Sequence, residues 1–319
     1  MTPTTHRIRH HAVVDAGLAG QRLDQAAASV FTDYSRARLQ QWIRAGELTL
    51  DGQPAKPTTR LWGGEALRID AEAEADSAVQ AQDIPLQVLF EDEDLIVLDK
   101  PAGLVVHPAA GNRDGTLQNA LLYHAPALAA LPRSGIVHRL DKDTSGVLVV
   151  ARSLRAHTSL VGQLQARSMS RVYQAVARGV LRCAGTIDQP IGRHPRNRKR
   201  MAVVAGGRPA VTHYRVLQSF AGFTHLQVAL ETGRTHQIRV HLAHIGFPLV
   251  GDQQYAGRSR LARGLHPALA EQVRDFPRQA LHAYRLKLLH PADQRPLEFT
   301  APLPADLLRL LHCLREYAA

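Results

Sequence analysis

The sequence predicts an α+β fold in which a small N-terminal module precedes a larger domain with a mixed, largely antiparallel sheet. The 319 residues exceed one typical domain and suit a small module plus a larger one. Beyond residue 84, short β-prone runs follow one another with few helical patterns between them, which favours hairpins over a doubly wound fold. A polar, acidic stretch precedes this region. We therefore divide the chain into a module of residues 1–70, a linker of residues 71–83 and a main domain of residues 84–319.

The N-terminal module is predicted to contain two helices and a small hairpin. Apolar residues recur at helical spacing over residues 23–31, and Ser35 is placed to cap a second helix. Residues 48–50 and 67–70 are β-prone, and the pair Asp51-Gly52 is a tight turn signal after the first of these runs. A compact helix pair packed on a hairpin follows from this pattern.

The main domain alternates predicted strands with fewer helices. Period-two apolar patterns predict strands, and longer segments with apolar residues three and four positions apart predict helices. The predicted strands are residues 88–90, 95–98, 146–152, 172–177, 211–217, 225–230, 281–289 and 297–300. The predicted helices are residues 117–123, 153–166, 238–244 and 305–317.

The charge of the chain favours a polyanionic partner. Lys and Arg number 39 against 28 Asp and Glu, a net charge of +11. Such an excess on a folded protein favours nucleic acid over an anionic membrane, because phosphate contacts release condensed counterions. The sequence lacks an apolar run long enough to span a bilayer, and its first residues lack the apolar core of a signal peptide. We expect a soluble, cytoplasmic protein.

The densest group of chemically active residue types is the segment His138–Gly146. As a calcium loop it fails, because its twelfth position is Arg152 where a bidentate Glu is required. As an aspartyl-phosphate phosphatase it would use Asp141 as nucleophile and Asp143 as acid, but that motif should follow a hydrophobic strand. The third interpretation is that Asp141 is a single carboxylate kept ionised by neighbouring cations on a loop. A turn rich in ion pairs is the purely structural alternative.

A second group lies at residues 231–244. It holds three histidines within nine residues, but their spacings of five and three do not match a zinc site. A metal site is therefore disfavoured. If a helix starts near Thr235, its first turn and Arg234 offer donors to an anion, and Arg239 follows about one turn later.

Two further basic segments suggest phosphate contacts. Arg36, Arg38 and Arg44 lie on one side of the second predicted helix, where a solvated helix face explains them equally well. The second segment is a dense run without an acidic residue, for which a solvated face is a weaker explanation because its charges repel one another. Its five cations are Arg193, Arg196, Arg198, Lys199 and Arg200.

Taken together, these motifs resemble the RluA family of RNA pseudouridine synthases, and within it the branch that acts on large-subunit ribosomal RNA. The order and approximate spacing of the motifs also agree across residues 84–302, and residues 20–70 resemble an S4 RNA-binding module. Arg171 departs from the family in a position where many members carry Lys, and the charge is kept. The matching motifs are His138-Arg139-Leu140-Asp141 with Thr144-Ser145-Gly146, Arg171-x-Tyr173-x-Ala175, and Gly233-Arg234-Thr235-His236-Gln237-Ile238-Arg239-Val240-His241.

The resemblance implies isomerisation of uridine to its C-glycoside in RNA, without a cofactor and without a metal. Asp141 would be the essential carboxylate, and whether it attacks C1′, attacks C6 or removes the 2′ proton stays open. Arg239 would hold Asp141 ionised, and Tyr173 would stack on the target base. Arg139 would fill the gap left by the extruded nucleotide. With Arg139 we group His138 and Arg234 as RNA contacts, alongside the two basic segments.

Two other functions fit the residues alone. The phosphatase would depend on Mg²⁺, and a non-catalytic RNA-binding or ribosome-assembly factor would share every basic feature. The expected partner in the interpretation that we favour is ribosomal RNA of the large subunit or its precursor particle, and the expected state is a monomer.

Overall fold

The computed structural model describes residues 5–31, 34, 36–74, 79–108, 111–257 and 264–318. By internal contacts the chain divides into two compact units, Met1–Ala78 and Val79–Ala319. Ser35, predicted as a helix cap, and residues 75–78 of the predicted linker lie outside the described residues.

The first unit packs two helices on one face of an antiparallel sheet. Its sheet has the strand order β1-β4-β2-β3. Apolar side chains of the helices, Leu23, Leu39 and Trp42 among them, meet the inward residues Leu67 and Ile69 of the sheet. The elements are β1 (Thr5–Val13), α1 (Leu23–Val30), α2 (Arg36–Ala45), β2 (Leu48–Leu50), β3 (Gln53–Pro54) and β4 (Ala66–Glu74).

The structure of the first unit differs from the prediction at its N-terminal and C-terminal ends. β1 was not predicted, because arginine and histidine alternate with its few apolar residues and hide the period of two. β4 continues to Glu74 instead of ending at residue 70, since β1 pairs with it along its whole length. Residues 71–74, assigned to the linker, are therefore strand.

The second unit is built on one long mixed sheet with helices on both faces. Its strand order is β5-β6-β7-β14-β8-β13-β12-β9, with β15 paired to β14 and a separate hairpin of β10 and β11. The strands are β5 (Val88–Glu91), β6 (Leu95–Lys100), β7 (Ser145–Ala151), β8 (Ser170–Arg178), β9 (Gly185–Asp188), β10 (Ile191–Arg193), β11 (Met201–Val203), β12 (Val211–Phe220), β13 (Phe223–Leu230), β14 (Leu281–Leu289) and β15 (Pro296–Thr300). The helices are α3 (Leu117–His124), α4 (Leu154–Gln165), α5 (Gln237–His244), α6 (Pro267–Arg274) and α7 (Ala305–Tyr317).

This sheet confirms the predicted α+β class. Among the described residues, β7 and β14 form the one parallel strand pair of the sheet, and its other pairs are antiparallel. The short strands β9, β10 and β11 and helix α6 were not predicted. Strands of three or four residues carry few alternations, so a period of two is harder to recognise in them.

Alternate residues of the central strands enter two separate cores. On β8, Tyr173 and Ala175 pack with residues of α3 and α5, whereas Val176 packs with residues of α6 and α7. Helix α4 packs against Val97 and Val149 of the neighbouring strands. The candidate site lies on the α3 and α5 face, where the loop before β7 approaches α5.

Candidate active site

The loop His138–Asp141 leads into strand β7, as its pattern of polar residues before an apolar strand suggested. Leu140 anchors it in the core with 4 % of its surface exposed. The Nε2 atom of His138 accepts a hydrogen bond from the backbone N–H of Val149 at 3.1 Å. Burial, aided by the charge of Arg171, lowers the pKa of His138 to about 3. The ring is therefore neutral and holds the loop on the sheet.

The four residues after Asp141 are each held by a different buried side chain. Together these contacts restrain the backbone next to the carboxylate, and sequence analysis singled out none of the four supporting residues. The contacts join Lys100 Nζ to the Lys142 carbonyl oxygen at 3.0 Å, Arg278 Nη1 to the Asp143 carbonyl oxygen at 3.0 Å, Gln279 Nε2 to Thr144 Oγ1 at 3.1 Å, and His282 Nδ1 to Ser145 Oγ at 2.9 Å.

Gly146 permits the close approach of β7 and β14 at this loop. Its φ is +113°, and an added Cβ would lie 2.2 Å from the carbonyl oxygen of Ala283. Such a distance is impossible without moving the backbone of β14. The motif that follows Asp141 therefore ends in glycine for a steric reason.

We expect Gly146→Ala to lower the free energy of unfolding by at least about 3 kcal/mol, because it adds a backbone clash to the cost of a positive φ. Gly222→Ala is the matched control: its φ is +83°, and an added Cβ meets nothing within 4 Å. The control should cost only about 1–2 kcal/mol. Urea unfolding of both variants measures the difference, and equal losses would contradict the steric argument.

Arg239 joins Asp141 to a second carboxylate that the sequence analysis missed. Its Nη1 donates to Asp141 Oδ2 at 3.0 Å, while Nε and Nη2 donate to the two oxygens of Asp252 at 2.7 and 3.0 Å. Burial disfavours the charge of Arg239, but the hydrogen bonds and charges of Asp252 and Asp141 outweigh it and raise its pKa. The guanidinium is a permanent, oriented cation under Asp141.

The segment Asp252–Tyr255 also links this cation to the basic hairpin, defined as the β10–β11 turn from Arg193 to Arg200. Gln254 accepts from Arg239 Nη2 at 3.2 Å and donates to the Lys199 carbonyl oxygen at 3.2 Å. The guanidinium carbons of Arg239 and Arg200 lie 5.0 and 5.1 Å from the centre of the Tyr255 ring. One short segment therefore contacts both the carboxylate's cation and the hairpin.

His236 is a further site residue that the sequence analysis gave no role. It precedes α5 in a left-handed conformation, with φ 57° and ψ 23°. Its Nδ1 lies 2.8 Å from the Tyr255 hydroxyl and its Nε2 lies 3.9 Å from Asp141 Oδ1. Burial lowers the pKa of His236, although the charge of Asp141 opposes this. His236 stands in the basic motif of residues 233–241, but only the fold brings it together with Tyr255 and Asp141.

Tyr173 lies in the core that adjoins this site. Its side chain packs in the same cluster as Leu140 and Ile238, and the residue is 7 % exposed. Burial raises the pKa of the phenol; Arg171 opposes the shift and Asp141 reinforces it.

The predicted RNA contacts fall in several places. Arg139 is exposed beside Asp141, and Arg196, Arg198 and Lys199 are exposed on the basic hairpin. Arg193 donates to the Arg198 carbonyl oxygen at 3.0 Å and so shapes the hairpin.

The three arginines of α2 belong to the first unit and differ from one another. Arg36 donates to the buried Asp24 at 2.6 Å, so its charge is partly used within the fold. Arg38 lies over the Trp42 ring at 5.8 Å, and Arg44 is exposed in the last turn.

The described residues hold neither a membrane-spanning helix nor a metal-binding group. Within them, no helix is long and apolar enough to cross a membrane. The same residues contain no group of three or more His, Cys, Asp or Glu side chains arranged to hold a metal ion. His241, one of the three closely spaced histidines, engages Thr212 and the Gln189 carbonyl oxygen, each at 2.9 Å.

Comparison with known proteins places the chain among RNA-modifying enzymes. The family model described as RNA pseudouridylate synthase matches residues 94–244. Proteins named ribosomal large subunit pseudouridine synthase D are 56 % identical over 97 % of both chains in Pseudomonas aeruginosa, and 50 % identical over 97 % of this chain and 95 % of the relative in Escherichia coli. The solved structure of human RNA pseudouridylate synthase domain containing 4 has a TM-score of 0.57 and 29 % identity, covering 72 % of this chain and 93 % of that one.

Proposed function

The chain belongs to the RNA pseudouridylate synthase family, and from this premise we propose that it isomerises uridine in large-subunit ribosomal RNA with Asp141 as the essential carboxylate. The observation that carries the proposal is the buried Arg239 guanidinium, which holds Asp141 at 3.0 Å on a loop restrained on both sides. A relative's name supports the choice of RNA: the protein from Xanthomonas campestris, 54 % identical over 97 % of this chain, is also named for the ribosomal large subunit.

Three residues of the site would serve steps of the isomerisation. The N1–C1′ bond breaks, the base is held and turned, the C5–C1′ bond forms, and the C5 proton leaves while N1 gains one. Asp141 supplies a carboxylate whose Oδ2 is engaged by Arg239, and its Oδ1, 3.9 Å from His236 Nε2, would act on the substrate. Tyr173 would stack on the base, and the exposed Arg139 would fill the space that the extruded nucleotide leaves.

The rival functions lose their support. A phosphatase aspartate should follow a hydrophobic strand, whereas Asp141 precedes β7 and lies in a loop. A binding factor would need no oriented cation beneath a single carboxylate. Family membership and this geometry together favour the synthase.

Release of the hydrogen at uridine C5 tests the proposal. Because C5 loses its hydrogen, RNA labelled with tritium at uridine C5 should release tritium to water when the protein is added. We expect release from large-subunit ribosomal RNA and none from small-subunit RNA. Release from small-subunit RNA alone would overturn the substrate assignment, and tight binding without release from either RNA would favour the binding factor.

The basic hairpin should supply affinity and not chemistry. Neutralising the exposed pair Arg196→Gln/Arg198→Gln should lower the slope of log K against log salt by about 1.4–1.8, because each lost phosphate contact removes about 0.7–0.9. The rate at saturating RNA should change little. Arg309→Gln, an exposed arginine on α7, is the matched control. Fluorescence anisotropy against salt measures the slope, and an unchanged slope in the hairpin variant would place RNA elsewhere.

We further propose that the protein acts as a cytoplasmic monomer in which the first unit adds RNA affinity as an S4-like module. The support is that Asp141, Arg239 and Tyr173 all come from one unit of one chain. Light scattering should give the monomer mass of 35.0 kDa in the absence of RNA.

A further inference from the structure

Several arginines gather around one carboxylate where β8 and β13 meet the turn before α5. Arg167 Nη1 lies 2.9 Å from Glu231 Oε2, and Arg171 Nη2 donates to the Glu231 carbonyl oxygen at 3.3 Å. Arg234 Nε donates to the carbonyl oxygen of Pro209 at 3.1 Å, which places Arg234 next to the chain segment that carries Arg208. We define Arg167, Arg171, Arg208 and Arg234 as the arginine cluster.

The arginine cluster carries more positive charge than its acidic neighbour neutralises. Both oxygens of Glu231 are engaged, one by Arg167 and the other by His213 Nε2 at 2.7 Å. Burial lowers the pKa of Arg234, and the charges of Arg208 and Arg167 lower it further. Cations held together at this density are stabilised by a bound anion.

Arg171 supplies a second, independent observation. Its Nε is buried and has no hydrogen-bond partner among the described residues. The turn backbone lies directly on its guanidinium, because a Cβ at Gly233 would approach Arg171 Nη1 to 2.7 Å. Within the part of the chain that the structure describes, the turn packs on this cation and no acidic side chain forms a salt bridge with it.

The cluster adjoins the reacting carboxylate. The turn that carries Arg234 continues to His236, whose Nε2 lies 3.9 Å from Asp141 Oδ1. Arg171 precedes Tyr173 by two positions on β8, so the two side chains lie on one face of the strand. An anion bound here would sit beside the nucleotide on which the site acts.

We propose that the arginine cluster binds a backbone phosphate of the RNA next to the target uridine, and that Glu231 limits the strength of this contact. The inference rests on the proposed function, since it takes RNA as the substrate. Guanidinium groups match phosphodiester oxygens in two-pronged hydrogen bonds, and a phosphate supplies the missing counter-charge.

The test removes charge from the RNA one phosphate at a time. A series of hairpin RNAs containing the target uridine is made, each with one phosphate replaced by a neutral methylphosphonate at a different position. The affinity of each RNA for the full-length protein is measured. We expect the wild-type protein to lose about 10-fold in affinity at one position adjacent to the target uridine, the effect of a lost charged hydrogen bond. The variant Arg208→Gln/Arg234→Gln should bind unmodified RNA correspondingly weakly and show no further loss at that position.

Two other variants complete the test. Arg215→Gln removes one exposed arginine whose partner is the neutral Gln227, and it should keep the full sensitivity to the methylphosphonate. Glu231→Gln should bind unmodified RNA more tightly, because it removes the one carboxylate that opposes the phosphate. If the double variant unfolds, Arg208→Gln alone is used, since that side chain is exposed.

Specific results would overturn the proposal. Sensitivity that persists in the cluster variants, or its absence in the wild-type protein, excludes a phosphate at this cluster. Weaker binding by Glu231→Gln excludes the limiting role of Glu231. Tritium release by the wild-type protein on unmodified RNA separates these outcomes from a failure of the proposed function, because release tests the reaction and the methylphosphonate scan tests the contact.

Discussion

Asp141→Asn is expected to abolish pseudouridine formation while RNA binding persists. The amide keeps the size of the side chain and still accepts the hydrogen bond from Arg239, so the loop should hold its conformation. It lacks the negative charge that every proposed role of Asp141 requires. We expect the single-turnover rate at saturating RNA to fall by at least about 10³-fold, as is typical when the reacting group itself is removed.

The neighbouring Asp143→Asn is the matched control for this variant. Asp143 contributes its backbone carbonyl to the loop, and that contact with Arg278 survives the substitution. Its product formation should stay close to that of the wild-type protein. Tritium release measures the chemistry and filter binding measures affinity. Activity retained in Asp141→Asn, or an equal loss in Asp143→Asn, would remove Asp141 from the centre of the mechanism.

Arg239→Met is expected to lower both turnover and stability. Arg239 is 7 % exposed and Asp252 is 1 % exposed, so the substitution leaves a buried carboxylate without its cation. Breaking a buried pair in this way costs about 3–5 kcal/mol. Turnover should fall because Asp141 loses the cation that orients its carboxylate through a hydrogen bond of 3.0 Å.

A second substitution separates the two effects of Arg239→Met. Adding Asp252→Asn removes the unpaired buried charge, so the double variant should regain much of the unfolding free energy. Turnover should stay low, since Asp141 is still without a cation. Urea unfolding and single-turnover tritium release report the two quantities separately. If Arg239→Met lost only RNA affinity, Arg239 would not act through Asp141. The same would follow if the double variant with Asp252→Asn regained turnover.

The predicted site depended on residues far apart in the chain. Asp141 and Arg239 are 98 positions apart, yet the sequence identified both, because each stands in a dense motif of chemically active residues. Asp252, Gln254 and Tyr255 lie outside these two motifs, and the sequence analysis assigned them no role. Their importance comes from lying between α5 and the basic hairpin, and no local pattern records that position.

Arg36 and Arg196 also differ because of contacts that form only in the folded chain. Both looked like phosphate contacts, because each is an arginine in a basic segment. Arg36 donates to the buried Asp24, which lies 12 positions before it, whereas Arg196 is exposed. Charge is a property of the residue type, but the partner that neutralises it is chosen by packing.

The sequence by itself determined the α+β class, most of the helices, the longer strands of the second unit, and the loop that carries Asp141. Each of these was predicted from local periodicity or from a motif of adjacent residues. Such patterns can be recognised in the sequence without knowledge of the fold. Tertiary structure alone decided the pairing of β1 with β4, the buried supports of the residues after Asp141, and the contacts of His236 with Tyr255 and Asp141. These features join residues from different strands and loops. Their energies depend on burial and on distances of about 3 Å, which exist only after the chain has packed.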